Sequence, residues 1–193
     1  RERVGRDGLV MVDANNGYNL NLTKQFLAAT READLHWLEE PFHEDRVLYE
    51  DLKDWLGEQG LSTQIADGEG QASPSLLDMA QAGLIDLVQY DAIGYGFCRW
   101  LELGAQLDAQ GVRSAPHNYG SLYGNYAACH LAPGIAGFAL VEWDEAQAPG
   151  LDTSAYRIED GLVAVPDRPG FGLELDEAHF ARLVASGGWS VGS

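Results

Sequence analysis

Apolar residues fall along this chain in two alternating rhythms. Short runs dominated by hydrophobic side chains occupy residues 9–12, 35–38, 63–66, 85–90, 112–115 and 138–142. Between them lie longer stretches in which apolar side chains recur at spacings of three and four: Leu22, Phe26 and Leu27; Leu48, Leu52, Trp55 and Leu56; Leu76, Leu77, Met79 and Ala80; Trp100, Leu101, Leu103 and Leu107; Tyr123, Tyr126 and Ala127. The first rhythm predicts strands buried on both faces and the second amphipathic helices. Ser73-Pro74 has the form of a helix cap with proline in the first turn, and Gly60, Gly83 and Gly111 stand where left-handed caps close helices.

Strands that alternate with helices in this way predict an α/β fold with a parallel sheet covered by its crossovers. Acidic and polar residues gather at the ends of several successive runs, which is the habit of a (β/α)8 TIM-type barrel. A doubly wound open sheet is the rival, but no run here leads into the glycine-rich phosphate turn that usually accompanies one. A barrel of this kind has eight strands, so the expected barrel is N-terminally incomplete, with about six βα units. Residues 1–5 read as the last turn of a helix. Residues 1–147 are expected to supply barrel strands 3 to 8, and residues 148–193 a C-terminal extension. Within the extension, Asp160-Gly161 marks a hairpin turn over residues 157–165, and Pro169-Gly170 precedes a helix over residues 176–185.

The composition narrows the function without naming it. The 193 residues, 46% of them hydrophobic, suffice for one well-buried domain. A net charge of -18 and the lack of any Lys/Arg cluster argue against nucleic acid as a partner. No apolar run approaches the ~20 residues of a membrane helix, and the first residues lack the apolar core of a signal peptide, so a cytoplasmic protein with no membrane partner is expected. Cys98 and Cys129 fall inside predicted helices without metal-ligand spacing and read as small buried apolar residues. The chain has two lysines, Lys24 and Lys53, both in helix patterns away from any strand end.

The strand ends carry the chemistry. Residues 9–12 run into Asp13-Ala14-Asn15, residues 35–38 into Glu39-Glu40-Pro41, and residues 63–66 into Asp67-Gly68-Glu69-Gly70. Asp13, Glu39 and Glu69 lie one βα unit apart, so adjacent strand ends bring three carboxylates together. Their mutual repulsion calls for a hard divalent cation, and an all-oxygen set suits Mg2+, one per site. The next two ends carry Asp91 and His117. A carboxylate beside an imidazole fixes its tautomer and raises its basicity, as a general base near neutral pH requires. The other histidines, His36, His43, His130 and His179, read as structural. Glu142, at the end of the sixth run and beside Trp143, is placed to donate to a developing oxyanion. Asn15 and Asn118 are candidates for contacts with substrate hydroxyls.

Taken together, Asp13-x-Asn15, Glu39-Glu40-Pro41, Gly68-Glu69, the Asp91/His117 pair and Glu142 resemble the barrel domain of the enolase superfamily, mandelate racemase subgroup. The resemblance runs over nearly the whole chain. It implies a Mg2+ held by the three acids, a small carboxylic acid as substrate, abstraction of the proton next to the carboxylate through an enediolate, and a homo-oligomer. In that scheme His117 is a base oriented by Asp91, and Glu142 is the electrophilic donor. The related muconate-cycloisomerase subgroup has a lysine near the position of Asp91; none stands there, which favours the histidine type. The family's Lys-x-Lys strand and its N-terminal capping domain lie outside this sequence, and the extension is expected to pack toward that domain. Dehydration of a sugar acid is the expected activity. Racemisation or epimerisation of a 2-hydroxy acid is the first alternative, and a barrel that binds metal and acid without chemistry is the second.

Overall fold

The computed structural model describes residues 1–121, 123–145 and 148–187. Its centre is an all-parallel sheet whose strands follow one another in chain order: β1 (Met11–Asp13), β2 (Trp37–Glu39), β3 (Gln64–Asp67), β4 (Leu87–Val88) and β5 (Arg113–Ser114). The register sets Asp13 beside Glu39, Glu39 beside Ala66, Asp67 beside Val88, and Val88 beside Ser114. Helices α1 (Leu20–Ala29), α2 (Arg46–Gln59), α3 (Leu76–Gln81), α4 (Ala92–Tyr95), α5 (Phe97–Gln110) and α6 (Gly124–Leu131) follow the strands. Neighbouring strands that are also consecutive in sequence, each crossover helical, are consecutive units of a (β/α)8 barrel. The order never reverses, as a doubly wound sheet's would.

Because successive side chains of a strand point to opposite faces, each strand feeds two cores. Trp37, Ala66, Leu87 and Ala115 pack together on the inner side, joined by Ala139 and Leu140. Leu38, Ile65 and Val88 face outward onto Leu52, Leu56, Trp100, Leu103 and Leu107 of the helices. This double burial is why the strands read as continuous apolar runs. Helices α1 and α2 begin at Asn19 and Asp45, whose side chains accept from the backbone N–H of Leu22 and Leu48. Gly60 and Gly111 close α2 and α5 with φ of 62° and 73°.

Several elements differ from expectation. The strands are shorter than their runs, and the sixth run forms a single parallel bridge, between Ser114 and Phe138. Beyond it the backbone is held by asparagine side chains: Asn118 and Asn125 donate to the carbonyls of Glu142 and Asp144, and Asp144 N–H donates to Asn125 Oδ1. Helix α3 starts after Ser73-Pro74, which forms the preceding turn; Ser73 Oγ accepts from Ser75 N–H rather than capping the helix. Residues 1–5 make one turn, closed by Gly5 N–H on Arg1 O at 2.9 Å. Cys129 is buried as expected, with its thiol pushed up to about 11 by burial. Cys98 is exposed, because it lies in the first turn of α5 off the stripe of Trp100, Leu103 and Leu107.

In the extension, β6 (Leu151–Asp152) pairs antiparallel with β9 (Glu174–Leu175), and β7 (Ile158–Glu159) with β8 (Leu162–Val163). Asp160 and Gly161, at φ of 52° and 76°, make the expected tight turn of the second pair. Helix α7 (Glu177–Gly187) starts at Asp176, whose Oδ1 accepts from His179 N–H. The extension packs on α6 through Tyr126, Cys129, Ala148 and Tyr156. The expected boundary after residue 147 falls outside the described residues. Among the described residues, no helix is long and apolar enough to cross a membrane.

Candidate active site

At the C-terminal ends of the strands the inward-facing positions change from apolar to polar. A cavity of about 330 Å³ opens there, lined by Asp13, Trp37, Glu39, Gln89, Glu142 and Trp143 among others. No basic residue lines it. Glu39 is only 7% exposed, and Trp37 Nε1–H donates to its Oε2 at 3.2 Å. Asp13 is exposed at the lip, and its Oδ1 accepts from Asn15 N–H at 2.7 Å. That bond curls the chain through left-handed Asn15 and Asn16, at φ of 47° and 56°, a conformation asparagine tolerates better than most residues. Glu40 is also left-handed, at φ of 38°, and strained there.

Lys24 and Lys53 lie away from this cavity. Lys24 pairs with Asp51 and Lys53 with Asp86, both on the helical side.

The Asp91/His117 pair is built by the backbone before the side chains meet. His117 N–H donates to Tyr90 O and Ala92 N–H to His117 O, so the two residues bridge in parallel just beyond β4 and β5. His117 Nδ1 then lies 2.7 Å from Asp91 Oδ1, and Nε2 lies 2.9 Å from Glu69 Oε2. Burial by itself lowers the basicity of His117; the Asp91 hydrogen bond and the charges of Glu69 and Glu142 outweigh it and hold the ring above its ordinary pKa. A carboxylate at each nitrogen favours the protonated ring, and Nε2 can accept a proton from another partner only when it is released from Glu69.

The acids disturb one another. Burial pushes the Glu39 carboxyl up to about 7, against a hydrogen bond from Gln89 and with Asp13, Glu142 and Glu69 adding to the rise. Burial also raises Glu69, which His117 partly offsets. Such crowding of oxygen donors around a cavity fits a hard divalent ion in charge and donor chemistry. Among the described residues, however, no three acidic, histidine or cysteine side chains are arranged to hold a metal ion as they stand. The reason is visible in Glu69, whose carboxylate faces His117 and Asn15, the latter with its Nδ2 3.5 Å from Oε1. Asp13 and Glu39 face the cavity; Glu69 would join them on leaving His117.

Asn118 takes a different place from the one expected. It is 3% exposed, with Nδ2 donating to Asn125 Oδ1 at 2.7 Å and its backbone N–H to Glu142 Oε2 at 2.8 Å. It clamps Glu142 and leaves Oε1 as the atom able to serve the cavity. Gly124 makes this possible: a Cβ there would lie 1.5 Å from Asn118 Oδ1. Gly124→Ala is therefore expected to push the clamp aside and destabilise the protein by about 1–3 kcal/mol, the usual cost of overpacking. Denaturant unfolding checks it, and an unchanged midpoint would remove Gly124 from this role. Asn15, by contrast, is exposed at the mouth, where a substrate contact was expected.

Sequence reasoning passed over Trp37, Gln89 and Asn125. Trp37 and Gln89 were detectable in principle, since Trp37 lies two residues before Glu39 and Gln89 two residues after Leu87, on the inward side of their strands.

Comparison with known proteins agrees with this geometry. Residues 1–179 match the enolase C-terminal domain-like family. The chain is 31% identical over 192 residues to a D-galactonate dehydratase family member of Oceanicola granulosus, covering 94% of this chain and 45% of that protein. Among solved structures it resembles a galacturonate dehydratase from Geobacillus sp., complexed with D-galacturonate and 5-keto-4-deoxy-D-galacturonate, at 53% identity and a TM-score of 0.95, covering 99% of this chain and 52% of that one. It is equally similar to a mandelate racemase/muconate lactonizing protein from Geobacillus sp. Y412MC10 complexed with magnesium and tartrate, at 53% identity and a TM-score of 0.95, covering 100% of this chain and 50% of that one. The chain thus spans about half the length of the relatives it matches. Strand order, strand-end acids and these matches lead to one conclusion: the chain belongs to the enolase superfamily, in its mandelate racemase-like branch, as the C-terminal barrel domain.

Proposed function

We propose that the protein containing this chain is a Mg2+-dependent dehydratase of a sugar acid, with a hexuronate such as galacturonate as the substrate class. The observation that carries the proposal is the Asp91/His117 pair, its Nε2 held against Glu69 at the strand ends. The similarity to a dehydratase complexed with galacturonate and its keto-deoxy product supports the substrate class.

Asp13, Glu39 and Glu69 would hold the ion. When bound, Mg2+ would supply positive charge to offset negative charge developing on the substrate carboxylate. The remaining work falls to this chain's residues. Asp91 fixes the tautomer of His117 by accepting from Nδ1–H, so that Nε2 is the basic atom once Glu69 has released it. Nε2 removes the proton from the carbon bearing the carboxylate; the C–H electrons form a double bond to the neighbouring carbon as its hydroxyl leaves. The same imidazolium gives its proton to that hydroxyl, so water departs and the base is regenerated. The resulting enol becomes a keto acid with one hydroxyl fewer. Glu142 Oε1 is placed as a donor to the charged carboxylate oxygen, its other oxygen being occupied by Asn118. Asn15 is a candidate contact for a substrate hydroxyl.

Racemisation or epimerisation would need a second base on the opposite face of the substrate. The two lysines of this chain pair with acids on the helical side, and His117 is the base this chain is proposed to supply. The packing of residues 148–187 against α6 is consistent with an extension distinct from the barrel units, and we assign residues 1–147 and 148–193 to these two parts.

The test is to incubate the full-length protein with hexuronates and aldonates in the presence of Mg2+ and follow keto-acid formation. Turnover of one acid, abolished by chelation, is the expected result. If no acid turns over but an α-proton exchanges for deuterium, the activity is racemisation or epimerisation; if neither occurs, the catalytic reading fails.

A further inference from the structure

The strand ends that carry Asp13, Glu39 and Glu69 are tied together in two different ways. Between β1 and β2 the backbone does it: Ala14, Asn16 and Tyr18 N–H donate in turn to the carbonyls of Glu39, Glu40 and Pro41, at 3.0, 2.8 and 3.1 Å. Between β2 and β3 the last backbone bond is Glu40 N–H on Ala66 O at 3.1 Å, and among the described residues none joins 41–45 to 67–75. Side chains take over there. Glu44 Oε1 accepts from Ser73 N–H at 2.6 Å, and the Tyr49 O–H, early in α2, donates to Asp67 Oδ2. Asp67 points outward, since it alternates with inward Ala66. Tyr49 is 0% exposed and Asp67 1%, so water does not compete for their bond. The Tyr49 ring also lies against Phe42, with centroids 5.0 Å apart. Phe42 stands three residues after Glu39 and Asp67 two before Glu69, so one buried side chain joins both loops from behind the sheet.

Asp67 is also where the chain turns out of β3. Gly68 follows at φ of 131°, and a Cβ there would lie 3.2 and 3.3 Å from the backbone nitrogens of Gln89 and Tyr90. The turn is pressed against the end of β4, and the direction in which Glu69 leaves it depends on how Asp67 is held. We propose that Tyr49 is a positioning residue for divalent-cation binding: by holding Asp67 it fixes the backbone from which Glu69 swings between His117 and the ion. With that hold the exchange is a side-chain rotation. Without it, binding the ion must also order the loop, and the lost entropy is paid in affinity. This inference rests on the assignment of Asp13, Glu39 and Glu69 to the ion, and it adds a residue that touches neither the ion nor any of the three acids.

The test is a titration of the full-length protein with Mn2+ alone, followed by electron paramagnetic resonance beside thermal unfolding, on wild type, Tyr49→Phe, Asp67→Leu and the double variant. Tyr49→Phe keeps the ring on Phe42 and removes the hydroxyl; Asp67→Leu keeps the size of the side chain and removes the acceptor. Each single variant leaves one buried polar group unpaired, so it is expected to unfold at a lower temperature and to bind Mn2+ about 10-fold more weakly, the lower end of the range for groups that orient metal ligands. The double variant removes both partners, so its unfolding temperature is expected to recover toward wild type. Its Mn2+ binding is expected to stay about 10-fold weak, because the tie is still absent. A merely structural role would restore affinity along with stability, and that result overturns the proposal. Wild-type affinity in a folded Tyr49→Phe protein overturns it too. Should a single variant fail to fold, the double variant decides: weakened Mn2+ binding supports the proposal and wild-type binding refutes it. If wild type itself binds no Mn2+, the metal assignment fails and takes this inference with it, an outcome distinct from equal affinity across the variants.

Discussion

Replacing His117 by asparagine in the full-length protein is expected to lower kcat about 1000-fold while leaving the fold and Mg2+ binding in place, within the 100- to 10,000-fold range for losing a positioned acid–base group. The geometry makes the two halves of this expectation separable. Asparagine can still meet Asp91 near the place of Nδ1, so the bridge between the ends of β4 and β5, made by backbone N–H groups of His117 and Ala92, persists. What disappears is Nε2, the ring atom that faces Glu69. Removing it also frees Glu69 from its ion pair, so Mg2+ affinity should hold or rise. Deuterium exchange at the α-carbon, followed by NMR, is the direct measurement. If the variant exchanges that proton at the wild-type rate, another group is the base and the Asp91/His117 pair has only a structural part.

Removing the Asp13 carboxylate should have the second large effect, and it isolates metal binding from stability. Asp13 is exposed and makes one hydrogen bond, from Asn15 N–H, so Asp13→Ala should cost about 1 kcal/mol of folding free energy or less. Of the three acids it is the one whose loss leaves no buried vacancy; Glu39, at 7% exposed, would leave one. Mg2+ affinity should nevertheless fall by at least about 100-fold, because groups that only orient a ligand are already worth 10- to 100-fold. Turnover should vanish at ordinary Mg2+ concentrations. Calorimetric titration beside thermal unfolding checks both parts. Mg2+ binding at wild-type strength would place the ion away from the end of β1 and reopen the ligand set.

These expectations draw on two kinds of information. The rhythm of the chain determines the architecture: continuous apolar runs can be buried on both faces only if helices cover the outside and the strands close on an inner core, as Leu38 and Trp37 show on opposite faces of β2. The same rhythm brings Asp13, Glu39 and Glu69 to neighbouring strand ends, and Asp91 and His117 to the next two, because each lies where an apolar run stops. The hairpin at Asp160-Gly161 was equally legible, since residues with φ above zero at both turn positions are a local demand.

Beyond the Asp91/His117 pair, partnership between side chains was not legible, because it depends on which atoms of distant segments arrive within 3 Å of one another. Nothing near Glu69 in sequence announces that it will face His117, nor does the stretch around residue 118 show that Asn118 turns into the wall, where Gly124 leaves room for it. Cys98 sits off the buried stripe of its helix by a rotation that helix packing alone decides. The sixth run meets β5 in a single bridge, and asparagine side chains from residues 118 and 125 hold the carbonyls at and beyond its end. The sequence by itself determined which residues reach the mouth of the barrel, because that is set by periodicity along one chain. The tertiary structure decided which of them hold one another, because hydrogen bonds and charge repulsion act between atoms that sequence distance does not relate.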